Sequence, residues 1–300
     1  MAVNEIAQHF IKTFEQNVLF LAQQKYSKLR RTVTEKSPGG TTSHSFPVVA
    51  PRTAAMHSKA TAGLNASKRA ATPYADTVFN DRVALPLAYD TADSYEWDDV
   101  VRQIQDPQSK LTTTMAMQAG RQIDDIIIAK WFAAALDGIG TSNAHPAGSQ
   151  VGGATQAFNF DFVRLIREQM LEKDIDPDEQ IFLVVSPNAV MSLLDETQAS
   201  SVDYTSGKAL MSGNMVEGWM GFTWIMSNRI PAVVAGPPAQ KYYAAYTKDS
   251  MGLVVNKEPF FEVAKDPGQS FSTVVYMGLD MGAVRIQDEK CFRVHVLETN

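Results

Sequence analysis

Cysteine is nearly absent. Cys291 is the one cysteine among 300 residues, so no disulfide forms within the chain and a small disulfide-stapled scaffold is excluded. It falls in the alternating run CFRVHVL, where a buried thiol is expected rather than a nucleophile. Long apolar runs are missing too. Nothing approaches the ~18 consecutive apolar residues of a membrane-spanning helix, so no membrane partner is expected. The opening MAVNEIAQHF carries acid and histidine early and does not read as a secretory signal. Basic residues are in deficit, 27 Lys and Arg against 33 Asp and Glu. That argues against a dedicated nucleic-acid binder, whose footprint is a clustered basic excess.

Catalytic templates are absent as well. His9, His44, His57, His145 and His295 are scattered without metal-ligand spacing, and no HExxH occurs. Asp174, Asp176 and Asp178 imitate the opening of an EF-hand loop. Pro177 interrupts them, Glu179 stands where Gly is needed, and Val185 where the closing Glu belongs. Gly138-Ile139-Gly140 lacks the third glycine of a dinucleotide fingerprint and follows an expected helix instead of a strand. There is no P-loop and no GxSxG. No catalytic, cofactor-binding or metal residue is expected, and the chain does not read as an enzyme.

What is present is architecture. Residues 106–136 read as one long helix. Asp106-Pro107 is a start signal, and Met115, Ala119, Ile123, Ile127 and Trp131 recur every four residues. Asp137-Gly138 supplies an expected stop. A rod of that length measures roughly 45 Å, far beyond the usual ~10–14 residues, and its drifting stripe suits a spine with several elements packed along it.

Residues 3–31 carry a second amphipathic pattern through Ile6, Phe10, Ile11, Phe14, Val18 and Leu21, ending in Lys25, Lys28, Arg30 and Arg31, where a helix dipole favours cations. A polar connector, 32–45, follows, so the helix reads as an arm that lies on a neighbouring subunit. Residues 46–92 have strand-like ends around a stretch rich in Ala, Ser, Thr and Gly. Within it Arg52, Lys59, Lys68 and Arg69 stand without acidic neighbours from 49 to 72. A two-stranded extension explains this, and an isolated hairpin is marginal in water, so it should lie against something else. Just beyond come Asp90, Asp93, Glu96, Asp98 and Asp99. They read either as a solvated helix face near the spine or as the belt on which a neighbour's basic loop docks.

After the spine, a Gly/Ser/Ala-rich loop at 138–157 leads into helix 160–173, the continuously apolar strand 181–185, and helix 189–198 capped by Ser186-Pro187. A short helix is expected within 209–221, then strand 222–226, a loop at 228–238, short strands at 241–247 and 252–255, and alternating strands at 270–282 and 283–297. The fold class is therefore α+β, with an α/β region after the spine.

The order of these elements, with SFPVVAPRTAA at 45–55, QAGRQIDDIIIAKW at 118–131, VVSPNAVMSLL at 184–194 and MGFTWIMSNRIP at 220–231, resembles the major capsid proteins of tailed bacteriophages with the HK97-like fold, of podovirus coat-protein type. The resemblance spans nearly the whole chain. It implies an N-terminal arm at 1–45, an extended β-hairpin loop (E-loop) at 46–92, a peripheral domain from 93–139 and 255–300 with spine helix 107–136, and an axial domain at 140–254. It implies self-assembly of identical subunits into hexamers and pentamers of an icosahedral shell enclosing double-stranded DNA, in a virion built in the host bacterial cytoplasm. A separate scaffolding protein, a portal and a decoration protein are implied partners. Arg52, Lys59, Lys68, Arg69, Asp93, Glu96, Asp98, Asp99, Phe10 and Phe14 are the candidate inter-subunit contacts. Two other readings stay open: an encapsulin-like shell protein, and an α/β enzyme with its site in the Gly-rich loop after the spine.

Overall fold

The structure, a computed structural model, describes residues 23–50, 77, 79–96, 107–195, 218–234 and 239–298. The longest helix among the described residues, α1, spans Pro107–Lys130. The expected stripe is its buried face: Met115, Ala119, Ile123, Ile126 and Ile127 are all buried. The start signal Asp106 lies outside the described residues. The helix stops at Lys130, short of the expected 136. Ala135–Asp137 instead forms strand β5, pairing Leu136 with Val83 and Asp137 with Arg82, and Asp137-Gly138 opens a hairpin turn rather than ending a helix. The Ala-rich segment favours helix by propensity, and pairing of β5 with its neighbour strands overrides that preference.

The strands, in chain order, are β1 Thr34–Lys36, β2 His44–Val49, β3 Phe79–Ala84, β4 Leu87–Tyr95, β5, β6 Ser142–Asn143, β7 Gln150–Gly152, β8 Ile181–Val185, β9 Phe222–Met226, β10 Ala232–Val234, β11 Ala239–Thr247, β12 Met251–Asp266, β13 Ser272–Arg285 and β14 Cys291–Glu298. Helices α2, Phe160–Leu171, and α3, Pro187–Leu194, stand between β7 and β9. Both begin on side-chain caps, of which the one at Ser186 is expected from the sequence. Asn159 accepts from the Phe162 amide at 2.8 Å, and Ser186 from the Ala189 amide at 3.3 Å.

Among the described residues the strands form three sheets. One runs β7-β14-β11-β8-β9, with β10 added on β11. Its strand β8 is buried at every residue, flanked by antiparallel β11 and parallel β9, as its unbroken apolar run predicts. A second sheet runs β1-β12-β13-β4 and a third β2-β3-β5-β6. In the third, β2 and β3 form the expected hairpin, in register from His44 opposite Ala84 to Val49 opposite Phe79.

Several expectations are corrected. The helix expected through Arg31 is not helical over its described part, 23–29, and gives way to a 3-10 turn at Arg30–Thr32. The connector after it contains β1, paired in parallel with β12. Asp90 and Asp93 belong to strand β4, not to a helix face. The short strand expected at 252–255 is only the inner start of β12, which runs 16 residues. The loop at 228–238 contains β10. Only the end of the expected 209–221 helix is described, as a 3-10 turn at Trp219–Gly221.

The chain divides into two compact units. The described part of the smaller comprises 23–26, 89–96, 107–121 and 259–279. There Arg121 donates to Gln23 at 2.5 Å and Gln118 to Thr91 at 3.2 Å. The larger holds 27–88, 122–258 and 280–300. Its core includes Trp131 and Tyr246, whose rings lie 5.9 Å apart, with Tyr243, Phe222 and Phe292 fully buried.

Candidate functional site

The sequence expects function along two protruding segments, the arm and the hairpin loop, and the larger unit contains the described root of each. At the hairpin, Phe46 of β2 is buried with Ala84, Ala135, Val254, Val284 and Ile286. It fits because Gly252 leaves a notch: a Cβ there would stand 2.7 Å from the Phe46 ring. Asp288 then ties the returning strand down. One carboxylate oxygen accepts from Arg82 Nη2 of β3 at 2.6 Å, the other from Arg285 Nε at 2.6 Å.

Arg285 is 0% exposed. Its remaining donors reach the carbonyls of Trp131 at 3.1 Å, Ala133 at 2.9 Å and Asn143 at 3.4 Å. The Trp131 and Ala133 carbonyls lie just past the last residue of α1, so a buried cation takes the place of a glycine cap there. Both charge partners sit within hydrogen-bond reach, which is what makes a buried ion pair tolerable.

At the arm, Asp124 of α1 is fully buried and accepts three donors from the chain just before the 3-10 turn. They are the Ser27 hydroxyl at 2.6 Å and the amides of Lys28 and Leu29 at 3.1 Å each. Thr32 donates to the Leu29 carbonyl at 2.7 Å and takes the Tyr246 hydroxyl at 2.6 Å; burial holds that phenol well above its usual range. Arg30 reaches Glu35 and Glu258 together, and these partners raise its already high pKa. Lys28 donates to the Met226 carbonyl at 2.7 Å.

A third polar cluster fastens the end of β14. Glu298 Oε1 accepts from the hydroxyls of both Ser186 and Tyr243, and Oε2 pairs with Lys241 at 3.0 Å. Burial by itself would raise the carboxyl, but Ser186, Tyr243 and Lys241 together outweigh it and hold it below the usual range. Burial, with the bond to Glu298, pushes Tyr243 upward.

Of the candidate contacts, Asp93 lies exposed on β4 and Glu96 exposed just past its end. Phe10, Phe14, Arg52, Lys59, Lys68, Arg69, Asp98 and Asp99 lie outside the described residues. Asp124, Arg285, Asp288 and Glu298 were not singled out from the sequence. Asp124 had a signal: it borders the apolar stripe of the spine, where a carboxylate needs a partner.

The Gly-rich loop proposed for an enzyme site folds as the β5–β6 turn, a 3-10 turn at Ala147–Ser149 and β7. Its His145 donates from Nε2 to the Cys291 carbonyl at 2.9 Å, and burial keeps the ring below its ordinary pKa. Cys291 is fully buried, and burial pushes its thiol up to about 12, so it is the inert core residue expected. Among the described residues no group of three His, Cys, Asp or Glu could hold a metal, and no helix is long and apolar enough to cross a membrane.

The family model described as "Phage capsid protein" matches residues 6–298. No curated protein matches the chain. Among solved structures, the cyanophage Pam1 capsid aligns with a TM-score of 0.73 at 10% identity, covering 98% of each chain. The capsid of Helicobacter pylori bacteriophage KHP30 gives 0.73 at 10% identity over 99% of each. That of cyanophage P-SCSP1u gives 0.70 at 15% identity, over 98% of this chain and 95% of its own. The fold is therefore HK97-like.

Proposed function

The chain belongs to the phage capsid protein family, and from that premise we propose that it is the non-enzymatic building block of a tailed-phage shell, closed by exchange of its hairpin and arm between identical copies. The carrying observation is the hairpin. Its root is locked by Phe46 and by the Arg82–Asp288–Arg285 chain. At the far end of the same register Val49 and Phe79 are 56% and 66% exposed. Apolar side chains presented where a two-stranded ribbon leaves the body need a cover, and a neighbouring copy supplies it.

The reading assigns 46–92 as the extended loop, 93–139 with 255–300 as the peripheral domain and 140–254 as the axial domain of hexamers and pentamers. Arg52, Lys59, Lys68 and Arg69 dock on the neighbour's Asp93, Glu96, Asp98 and Asp99, and Phe10 and Phe14 bury the arm's apolar face. Charge pairing of this kind sets register more than affinity. The formal charge of −6 suits a wall that encloses double-stranded DNA without gripping it. A scaffolding protein, a portal and a decoration protein complete assembly in the host cytoplasm.

Negative-stain microscopy and light scattering of the purified protein test this. Closed shells are expected for the full chain. Deletion of residues 54–71 should leave a soluble folded body that forms none. Shells of normal size from the deletion would sink the docking role, and a monomer with ligand-dependent melting would favour the enzyme reading.

A further inference from the structure

Strand β7 and the segment leading into it form a short strap, 144–152, along the β14 side of the sheet β7-β14-β11-β8-β9. Just before the strap, the Asn143 carbonyl accepts from Arg285 Nη2 at 3.4 Å; just after it, the Gln156 carbonyl accepts from the Leu297 amide at 2.8 Å. Between these anchors β7 pairs with β14 over three residues, Gln150 opposite Arg293, Val151 opposite Val294 and Gly152 opposite His295. The Gln150 side chain accepts from Arg293, and Ser149 and Val151 are buried.

His145 adds a fastener near the start of the strap. Its Nε2 meets the Cys291 carbonyl at 2.9 Å, and its ring stands edge-on to Phe132 at 5.3 Å. A carbonyl only accepts, so Nε2 carries the proton and Nδ1 is bare. That Nδ1 is buried and has no hydrogen-bond partner. A second proton there would create a buried donor without an acceptor, on a ring that has become a cation. The charges facing the ring oppose this. Arg285 of β13 and Arg293 of β14 repel a proton. Asp288, in the turn before β14, attracts one, but its two oxygens already accept from Arg82 and Arg285. Lys173 adds a further cation beside the strap, its Nζ 3.7 Å from where a Cβ on Gly148 would lie. A second imidazole, His295 of β14, also faces Arg293 and meets Gln240 Oε1 at 3.1 Å.

We infer that His145 is an acid-operated latch: while neutral it fastens the 144–152 strap to β14, and on protonation it lets the strap lift from that edge. Lifting relieves the charge, because the imidazolium then reaches water and leaves the two arginines. It also bares backbone N–H and C=O groups of β14 from Arg293 to His295, the kind of row that a sheet edge ordinarily keeps covered. The latch belongs to the single chain and works with or without a neighbouring copy. Burial foremost, then the two arginines, hold the closed ring below its ordinary pKa, so the open strap takes up the proton more readily. Closure is thus fully favoured above the free imidazole value of about 6.5 and loses ground as pH falls below it.

Hydrogen exchange of the full chain, read by mass spectrometry, tests the latch. Peptides covering 144–152 are compared as protection factors well above the free imidazole value and one unit below it. In the wild type, protection should fall several-fold at the lower pH, toward the ceiling of about 10-fold for one imidazole one unit below its free value. Peptides of β8 should keep theirs, which reports an intact fold. His145→Gln retains a neutral donor for the Cys291 carbonyl and does not titrate, so its strap should be equally protected at both pH values. His145→Phe, which keeps the ring contact with Phe132, should behave the same way and serves if the first variant does not fold. His295→Gln should show the wild-type fall. Unchanged protection in the wild type, an equal fall in the His145 variants, or a response abolished by His295→Gln would each overturn the latch.

Discussion

Asp124 accepts the Leu29 backbone amide at 3.1 Å, across 95 residues of sequence, and so fixes the point where the N-terminal segment meets the spine helix. The carboxylate does for the chain before the 3-10 turn what a capping side chain does for a helix start. It is fully buried, so its stability depends on keeping all its donors.

Asp124→Ala should therefore cost about 3 kcal/mol, the scale for losing bonds to a charged acceptor and leaving buried amides unpaired. Asp124→Asn should cost less, since one acceptor oxygen remains. Urea denaturation checks both. The expected order is wild type, Asn, Ala, and an unchanged midpoint for Ala would contradict the pinning role.

Arg285 and Asp288 form the second anchor. Arg285→Met strands Asp288 and the carbonyls after α1, and should destabilise by about 3–5 kcal/mol. Asp288→Asn should weaken the hold on Arg82 as well. A double-mutant cycle of Arg82→Ala with Asp288→Asn is expected to show a coupling of at least ~0.5 kcal/mol. Additive effects would mean that the hairpin root does not depend on the shared carboxylate.

Glu298 gives the protein an acid sensitivity. Its carboxyl is held below the usual range in the folded state. The stabilisation it brings is thus complete above the unfolded carboxylate value of about 4.3 and fades as pH falls through the lower folded value. Melting temperatures of the wild type and Glu298→Gln should differ most near neutral pH and converge in acid below about pH 4. Parallel curves would assign the acid sensitivity to other groups.

Gly252 permits the burial of Phe46. Gly252→Ala places a Cβ at 2.7 Å from that ring and 3.0 Å from the Ile286 side chain, overpacking that should cost about 1–3 kcal/mol. Adding Phe46→Leu should recover part of it, as thermal melts would reveal. No recovery would mean that the crowding lies elsewhere.

The sequence by itself determined whatever depends on near neighbours along the chain. The four-residue spacing of Met115, Ala119, Ile123 and Ile127 fixed which face of the spine is buried. Ser186-Pro187 fixed the start of α3, and the unbroken run at 181–185 marked a strand covered on both sides. The order of these pieces was enough to indicate the fold family. Only the tertiary structure decided where α1 ends, that β12 continues to Asp266, and that Asp90 and Asp93 lie on a strand. It alone recruited Asp124, Arg285 and Asp288 as anchors. Each of these depends on partners elsewhere in the chain: strand pairing outweighs the helical preference of an Ala-rich segment, and a buried charge declares its role only when the group that neutralises it is in place.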